Sequence, residues 1–235
     1  MDEEEIKNWT KAHRNEIVDR IIADTAPDKN RLAIFMAGIP GAGKTELAQR
    51  LFFDHATETN QPLRIEHDFL VEHIDGYLPE SYYRYRKAGS ILVTELFETS
   101  LREGYSFIFD GTLAHEKGLK NVEKCLNKGF DVLVAYVAQD PGVAWSLTQD
   151  RELVKKRSIE RSGFIATTNT IHSALYGIFT TFSDHPKFAF TLFDKSNTKN
   201  IAKAEILLSI TSDTEKRDIA SFLKKDYTLD RNFGI

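Results

Sequence analysis

Short apolar runs alternate with longer amphipathic stretches along most of the chain. Residues 32–37 are apolar throughout, as a strand buried on both faces requires, and segments 63–66, 106–109, 131–137 and 188–193 are short and rich in apolar or β-branched residues. Between them, 90–102 and 115–128 have helical spacing, the second closed by Gly129 in the position of a left-handed cap. A leading helix is predicted from the face formed by Ile6, Trp9, Ile17, Val18, Ile21 and Ile22, and it stops before the turn-rich stretch Ala26-Pro27-Asp28-Lys29-Asn30. Further on, Ile171, Ala174, Leu175, Ile178, Phe179 and Phe182 make one helical stripe, read as packing against the sheet. Strands that alternate with helices pair in parallel, so the expected fold is α/β, with a five-stranded, mainly parallel sheet carrying helices on both faces. Its expected layout is a single domain: residues 1–30 a leading helix and turn, 31–210 the core, and 211–235 a helical tail.

The densest chemical signal lies directly after the first strand. Gly38-Ile39-Pro40-Gly41-Ala42-Gly43-Lys44-Thr45 satisfies the phosphate-binding pattern G-x-x-x-x-G-K-[ST] at every specified position, between a strand and a stretch of helix-forming composition. Glycines at the turn let successive N–H groups face one concavity and meet phosphate oxygens. Lys44 would add positive charge at the β- and γ-phosphates, and the Thr45 hydroxyl would ligate Mg²⁺. The ligand class is therefore a nucleoside triphosphate.

Composition narrows the class. The chain has 235 residues, 41% of them hydrophobic, which is enough for a sizeable core. A formal charge of −4 creates no general field for polyanions, so nucleic acid is not an expected partner. Cys125 is the single cysteine, on a helical stretch where it reads as a packed thiol, and no intrachain disulfide can form. An acidic start, Met1-Asp2-Glu3-Glu4-Glu5, is unlike a signal peptide, no apolar run reaches membrane-spanning length, and cytoplasmic residence is expected. The seven histidines show no paired metal-ligand spacing. No guanine-specificity Asn-Lys-x-Asp is present; Asn127-Lys128-Gly129-Phe130-Asp131 carries its aspartate one place late. A small-molecule kinase is the leading class.

Such an enzyme needs a base for the acceptor hydroxyl, cations for the transferring group and a cover against water. Asp68 closes the second strand run at Leu63-Arg64-Ile65-Glu66-His67-Asp68, on the sheet edge shared with the glycine loop, and is the candidate base. Glu66 and Asp110 are both available for a magnesium shell through water, and the sequence does not separate their roles. Asp110 and Thr112 emerge after the third strand in the same way. The charged segment 150–161, within a lid expected over about 141–165, supplies Arg151 and Arg161, which read either as phosphate-bridging cations or as part of a solvated basic helix with Lys155, Lys156 and Arg157. Tyr82-Tyr83-Arg84-Tyr85-Arg86-Lys87 interleaves rings and cations; it reads as a helix start with snorkelling side chains, as a surface for single-stranded nucleic acid, or as a contact for the uridine or diphosphate of an acceptor.

Over about residues 31–195 the chain resembles the zeta toxin family of P-loop kinases, whose members phosphorylate UDP-N-acetylglucosamine. Ile65-Glu66-His67-Asp68 stands where that family has a strand ending in Ile-Asp-x-Asp, Thr94-Glu95 matches a family Thr-Glu, and Asp110-Gly111-Thr112 matches its Glu-Gly-Thr. The resemblance implies Asp68 as catalytic base, Glu66, Glu95, Asp110 and Thr112 at the acceptor, and Arg151 with Arg161 on the phosphates of ATP. It implies ATP and Mg²⁺ as co-substrate and cofactor, a nucleotide sugar as acceptor, and a separate antitoxin chain as partner. Other acceptors, such as a nucleotide cofactor or a polynucleotide end, and a non-catalytic nucleotide switch are the alternatives. The chain departs from the pattern at Val71, Ile74 and Asp75, where the family carries a basic residue and a His-Pro pair. The interval between the lid arginines is also short, which makes Arg157 an alternative to Arg161.

Overall fold

The structure, a computed structural model, describes residues 1–53, 61–155, 159–195, 205–209, 212–225 and 228–233. Its centre is β1 (Leu32–Ala37), five of whose six residues are buried, flanked by parallel partners on both sides. The other strands are β2 (Leu63–Glu66), β3 (Phe107–Asp110), β4 (Asp131–Ala138), β5 (Phe188–Asp194) and β6 (Glu205–Ser209). They stand in the order β2-β3-β1-β4-β5-β6. The five strands read from the hydrophobic runs all form and all pair in parallel, within a residue of their expected ends. A sixth, β6, adds antiparallel to β5 at the edge. Its sequence, Glu-Ile-Leu-Leu-Ser, is too short for periodicity to separate strand from helix.

Eight α-helices accompany the sheet among the described residues: α1 (Glu3–Ile22), α2 (Lys44–Ala48), α3 (His67–Val71), α4 (Tyr82–Glu103), α5 (Glu116–Asn127), α6 (Pro141–Lys155), α7 (Arg161–Phe182) and α8 (Asp213–Leu223). A π-helical turn, Gln49–Phe53, continues α2. Helix α1 starts on a capping box, in which the Asp2 carboxylate accepts from the N–H groups of Glu4 and Glu5. It lies beside α4, held by Arg14 Nε to Glu95 Oε2 at 2.8 Å and by Lys87 Nζ to Glu3 Oε2 at 3.2 Å. Helix α4 begins eight residues before the expected 90, because Tyr85, Ala88, Gly89 and Leu92 extend its buried face by one more repeat of helical spacing. Its far end is closed by Gly104, and α5 is followed by Gly129; both glycines have left-handed φ.

The phenylalanines concentrate the core between these layers. Phe35 meets Phe107 edge-on and Phe109 face to face, and Phe97 of α4 crosses both of the latter rings. On the other side of β4 the buried His172 of α7 contacts Tyr136 Oη at 2.8 Å and accommodates Phe222 of α8, so the tail helix is docked on the core. The stripe read on α7 is buried as expected, at Ile171, Leu175, Ile178, Phe179 and Phe182. Cys125 is buried, and its burial pushes the thiol well above the ordinary range, in keeping with a packed side chain. Among the described residues no helix is long and apolar enough to cross a membrane.

Candidate active site

The glycine loop joins β1 to α2, and two of its glycines are required by geometry as well as by pattern. Gly43 caps α2 with φ 87° and Gly41 has φ 79°, values that strain any residue with a Cβ. Lys44 turns back over the loop and donates from Nζ to the carbonyls of Gly38 at 3.0 Å and Ile39 at 3.1 Å. Desolvation pushes its ammonium below the ordinary lysine range, against the opposing charge of Asp110. A polyphosphate entering this concavity would supply the acceptors that loop carbonyls supply here.

Next to the loop, Thr45 Oγ1 donates to Asp110 Oδ2 at 2.6 Å. Asp110 ends β3, and its register partner on β2 is Glu66. Glu66 is buried beneath Arg64, whose Nε donates to Glu66 Oε2 at 2.7 Å. Burial and the neighbouring charge of Asp110 raise the Glu66 carboxyl above its ordinary range, more than Arg64 lowers it. A hydroxyl and two carboxylates form a hard oxygen set that a divalent cation would relieve. Among the described residues no three His, Cys, Asp or Glu side chains cluster to hold a metal unaided. Mg²⁺ at a nucleotide needs no such cluster, since one or two carboxylates, the phosphates and water complete its shell.

Asp68 stands in the first turn of α3, which starts where β2 ends. Tyr82 Oη donates to Asp68 Oδ1 at 2.9 Å, and Arg151 Nη2 lies 3.6 Å from Asp68 Oδ2. Burial pushes the Tyr82 phenol up to about 12, so it remains a donor across the working range. His67 completes the group, with Nδ1 at 3.1 Å from Tyr82 Oη and Nε2 at 2.8 Å from the Arg86 carbonyl. Because the Arg86 oxygen can only accept, that nitrogen carries a proton.

Helix α6 brings Arg151 to this place. Asp140 caps it, accepting from the Val143 N–H at 3.0 Å, and Pro141 occupies its first position. A Cβ placed on Gly41 would come within 2.2 Å of the Ala144 carbonyl oxygen and 2.9 Å of Thr148 Cγ2, so α6 rests directly on the glycine loop. Ala144, Thr148 and Arg151 succeed one another at helical spacing, which carries the contact from the loop to Asp68.

The remaining expected residues divide. Thr112 is beside the loop, its carbonyl accepting from Gly38 N–H at 3.5 Å, and Leu113 after it has φ 53°, a conformation rare for a side chain of this kind. Glu95 instead pairs with Arg14, about 20 Å along the α4 axis from Tyr82 at 1.5 Å per residue. Arg161 starts α7 and donates from Nε to the Phe233 carbonyl at 2.6 Å, while its Nη2 is buried with no partner among the described residues. Lys156 and Arg157 lie outside the described residues. At the positions of family departure, Val71 and Ile74 are buried in the core and Asp75 sits 3.8 Å from Arg20.

Three contributors escape sequence reasoning. Tyr82 reaches Asp68 from the start of α4, whose rings and cations gave no hint of a carboxylate partner, and His67, which precedes Asp68 on α3, meets the Tyr82 hydroxyl. Lys195, one residue past β5, is 1% exposed and places Nζ 3.3 Å from the Ala42 carbonyl of the glycine loop. The rule that ligands bind at the carboxyl ends of parallel strands would have singled it out.

Comparison with known proteins bears on the family and the fold. The zeta toxin family model matches residues 15–201. A structure from the PezAT chromosomal toxin-antitoxin system of Streptococcus pneumoniae is similar with a TM-score of 0.63 at 17% identity, covering 91% of this chain and 86% of its own. The AvrRxo1-ORF1:AvrRxo1-ORF2 complex with ATP gives a TM-score of 0.63 at 15% identity over 97% of this chain and 74% of that one. Its native form gives 0.62 at 14% identity over 93% and 71%. No curated protein sequence matches. At these identities the solved structures speak for the fold, a P-loop kinase-like α/β sheet, and the family match covers well over half of the sequence: the chain belongs to the zeta toxin family of kinases.

Proposed function

We propose that this protein is an ATP- and Mg²⁺-dependent kinase that transfers the γ-phosphoryl group to a hydroxyl of a nucleotide sugar, UDP-N-acetylglucosamine. The observation that carries the reading is the seating of α6 on Gly41, which sets Arg151 against Asp68 at the mouth of the phosphate loop. One cleft thereby holds a phosphate cradle, a cation and a carboxylate base. The loop N–H groups and Lys44 would hold the triphosphate, and Arg151 would exchange its contact with Asp68 for the transferring group. Asp68 would take the acceptor's hydroxyl proton as that oxygen bonds to the γ-phosphorus, and the bond to the β-phosphate oxygen breaks to release ADP. Thr45 and Asp110 would hold magnesium, with Glu66 acting through water; the ion would neutralise charge on the β- and γ-phosphates.

The acceptor reading rests on the groove next to Asp68. It has a volume of about 550 Å³ and is lined by His67, Tyr82, Tyr83, Arg86 and Lys87 among others. Rings on which a base can stack, beside Arg86 and a Lys87 that would exchange its pairing with Glu3 for a diphosphate, suit a nucleoside diphosphate carrying a sugar. Apart from His67, these residues belong to the run from Tyr82 to Lys87, whose reading the sequence leaves open between nucleic acid, surface and acceptor. Glu95, placed farther along α4, takes no part in this reading. The PezAT relative comes from a toxin-antitoxin system, and we extend the same expectation of a separate antitoxin chain to this protein. Incubation with γ-labelled ATP and a panel of UDP-sugars, nucleosides, dinucleotides and short oligonucleotides tests the assignment. Label should move to the UDP-sugar; transfer to an oligonucleotide or dinucleotide, or to none, would overturn it.

A further inference from the structure

Lys195 is the side chain that neither the family pattern nor the proposed chemistry uses. Its position is fixed by the sheet, since its N–H donates to the Ala138 carbonyl at 2.9 Å and so prolongs the β4–β5 pairing by one residue. From there the side chain runs to the glycine loop and is wholly buried. A Cβ on Gly43 would lie 2.4 Å from Lys195 Nζ, so the ammonium is packed on the face of that glycine. Among the described residues its acceptor is the Ala42 carbonyl at 3.3 Å, which leaves two of its three donors without one. Burial lowers its affinity for the proton, with Glu46 opposing.

The peptide it touches is the informative part. No described peptide bond is cis, so the Ala42 carbonyl and the Gly43 N–H of one planar unit point in opposite directions. Holding the carbonyl on the Lys195 side turns the Gly43 N–H away from that lysine. From this geometry we infer that Lys195 is a positioning residue for triphosphate binding: it fixes the Ala42–Gly43 peptide with its N–H directed at a phosphate oxygen. It acts on the phosphates through the loop and needs no contact with the nucleoside. Gly43 is thus required twice, by its left-handed φ and by the ammonium lying where a side chain would be.

The inference rests on the proposed nucleotide reading and is tested separately from it. Calorimetric titration of the wild type and of Lys195→Met with ATP, and in parallel with inorganic tripolyphosphate, reads the loop directly. Methionine keeps the volume and removes the charge. Loss of a bond to a charged group implies about tenfold weaker binding of both compounds, because both present the same phosphate oxygens. Thermal unfolding of the ligand-free variant should be no lower than that of the wild type, since a buried charge and its desolvation cost have been removed. Unchanged affinity for ATP would overturn the inference. So would a loss for ATP that spares tripolyphosphate, which would make the lysine a nucleoside contact, or a loss accompanied by a matching fall in unfolding temperature, which would make it merely structural. A wild type that binds neither compound would refute the nucleotide reading itself.

Discussion

Substituting alanine at Gly41 puts the largest local demand on the arrangement proposed for catalysis. The new Cβ would stand 2.2 Å from the Ala144 carbonyl oxygen, a backbone atom that cannot rotate away, so α6 must retreat by about 1 Å to restore ordinary contact. The left-handed φ of 79° adds about 1–2 kcal/mol. Overpacking against Ala144 and Thr148 adds about 1–3 kcal/mol, for a total near 2–5 kcal/mol. For a chain of this size the melting temperature should fall by roughly 4–20 °C. Gly129→Ala is the control, because its φ is 81° and nothing lies within 4 Å of the added atom, so it bears the conformational cost alone. The difference between the two melting curves isolates the contact of α6 with the loop. Phosphoryl transfer by Gly41→Ala should fall about a hundredfold, since Arg151 is displaced with its helix. Gly41→Ala melting together with Gly129→Ala and retaining turnover would refute the seating of α6 on the loop.

Other expectations follow from the charges. Arg151→Ala should lower kcat on the order of a thousandfold, the scale of a phosphoryl-stabilising arginine. Arg161→Ala should lower it less than about tenfold, because that guanidinium is engaged by Phe233; steady-state kinetics on the pair distinguishes them. Glu66, raised by burial and by Asp110, holds its proton more tightly folded than unfolded, so stability declines as pH rises from about 4.5 through the raised value. Glu66→Gln should therefore melt higher than the wild type at pH 7 and not at pH 4 in ligand-free protein, while weakening the response of ATP binding to magnesium.

The sheet was legible because its strands are short continuous apolar runs and its central turn carries a local motif; neither depends on distant residues. Asp68 and Asp110 could be placed by the same logic, since a residue following a parallel strand must emerge at one edge. What stayed hidden depended on tertiary approach. No sequence rule states that Ala144 and Thr148 should rest on Gly41, or that Tyr82 should span from α4 to Asp68. The carried-over roles of Glu95 and Arg161 met competition from partners remote in sequence: Arg14 lies 81 residues from Glu95, and Phe233 lies 72 from Arg161. Lys195 passed unnoticed because its surroundings in sequence, Phe193-Asp194-Lys195, carry no phosphate-binding pattern.

Asp68 is proposed to receive the acceptor's proton across the cleft from the glycine loop. The decisive measurement is transfer of label from γ-labelled ATP to UDP-N-acetylglucosamine by the wild type and by Asp68→Asn, with ATP affinity measured alongside. Turnover should fall by about 10²–10⁴ with ATP affinity retained, as for loss of a general base. An asparagine variant that phosphorylates the acceptor as fast as the wild type would contradict it.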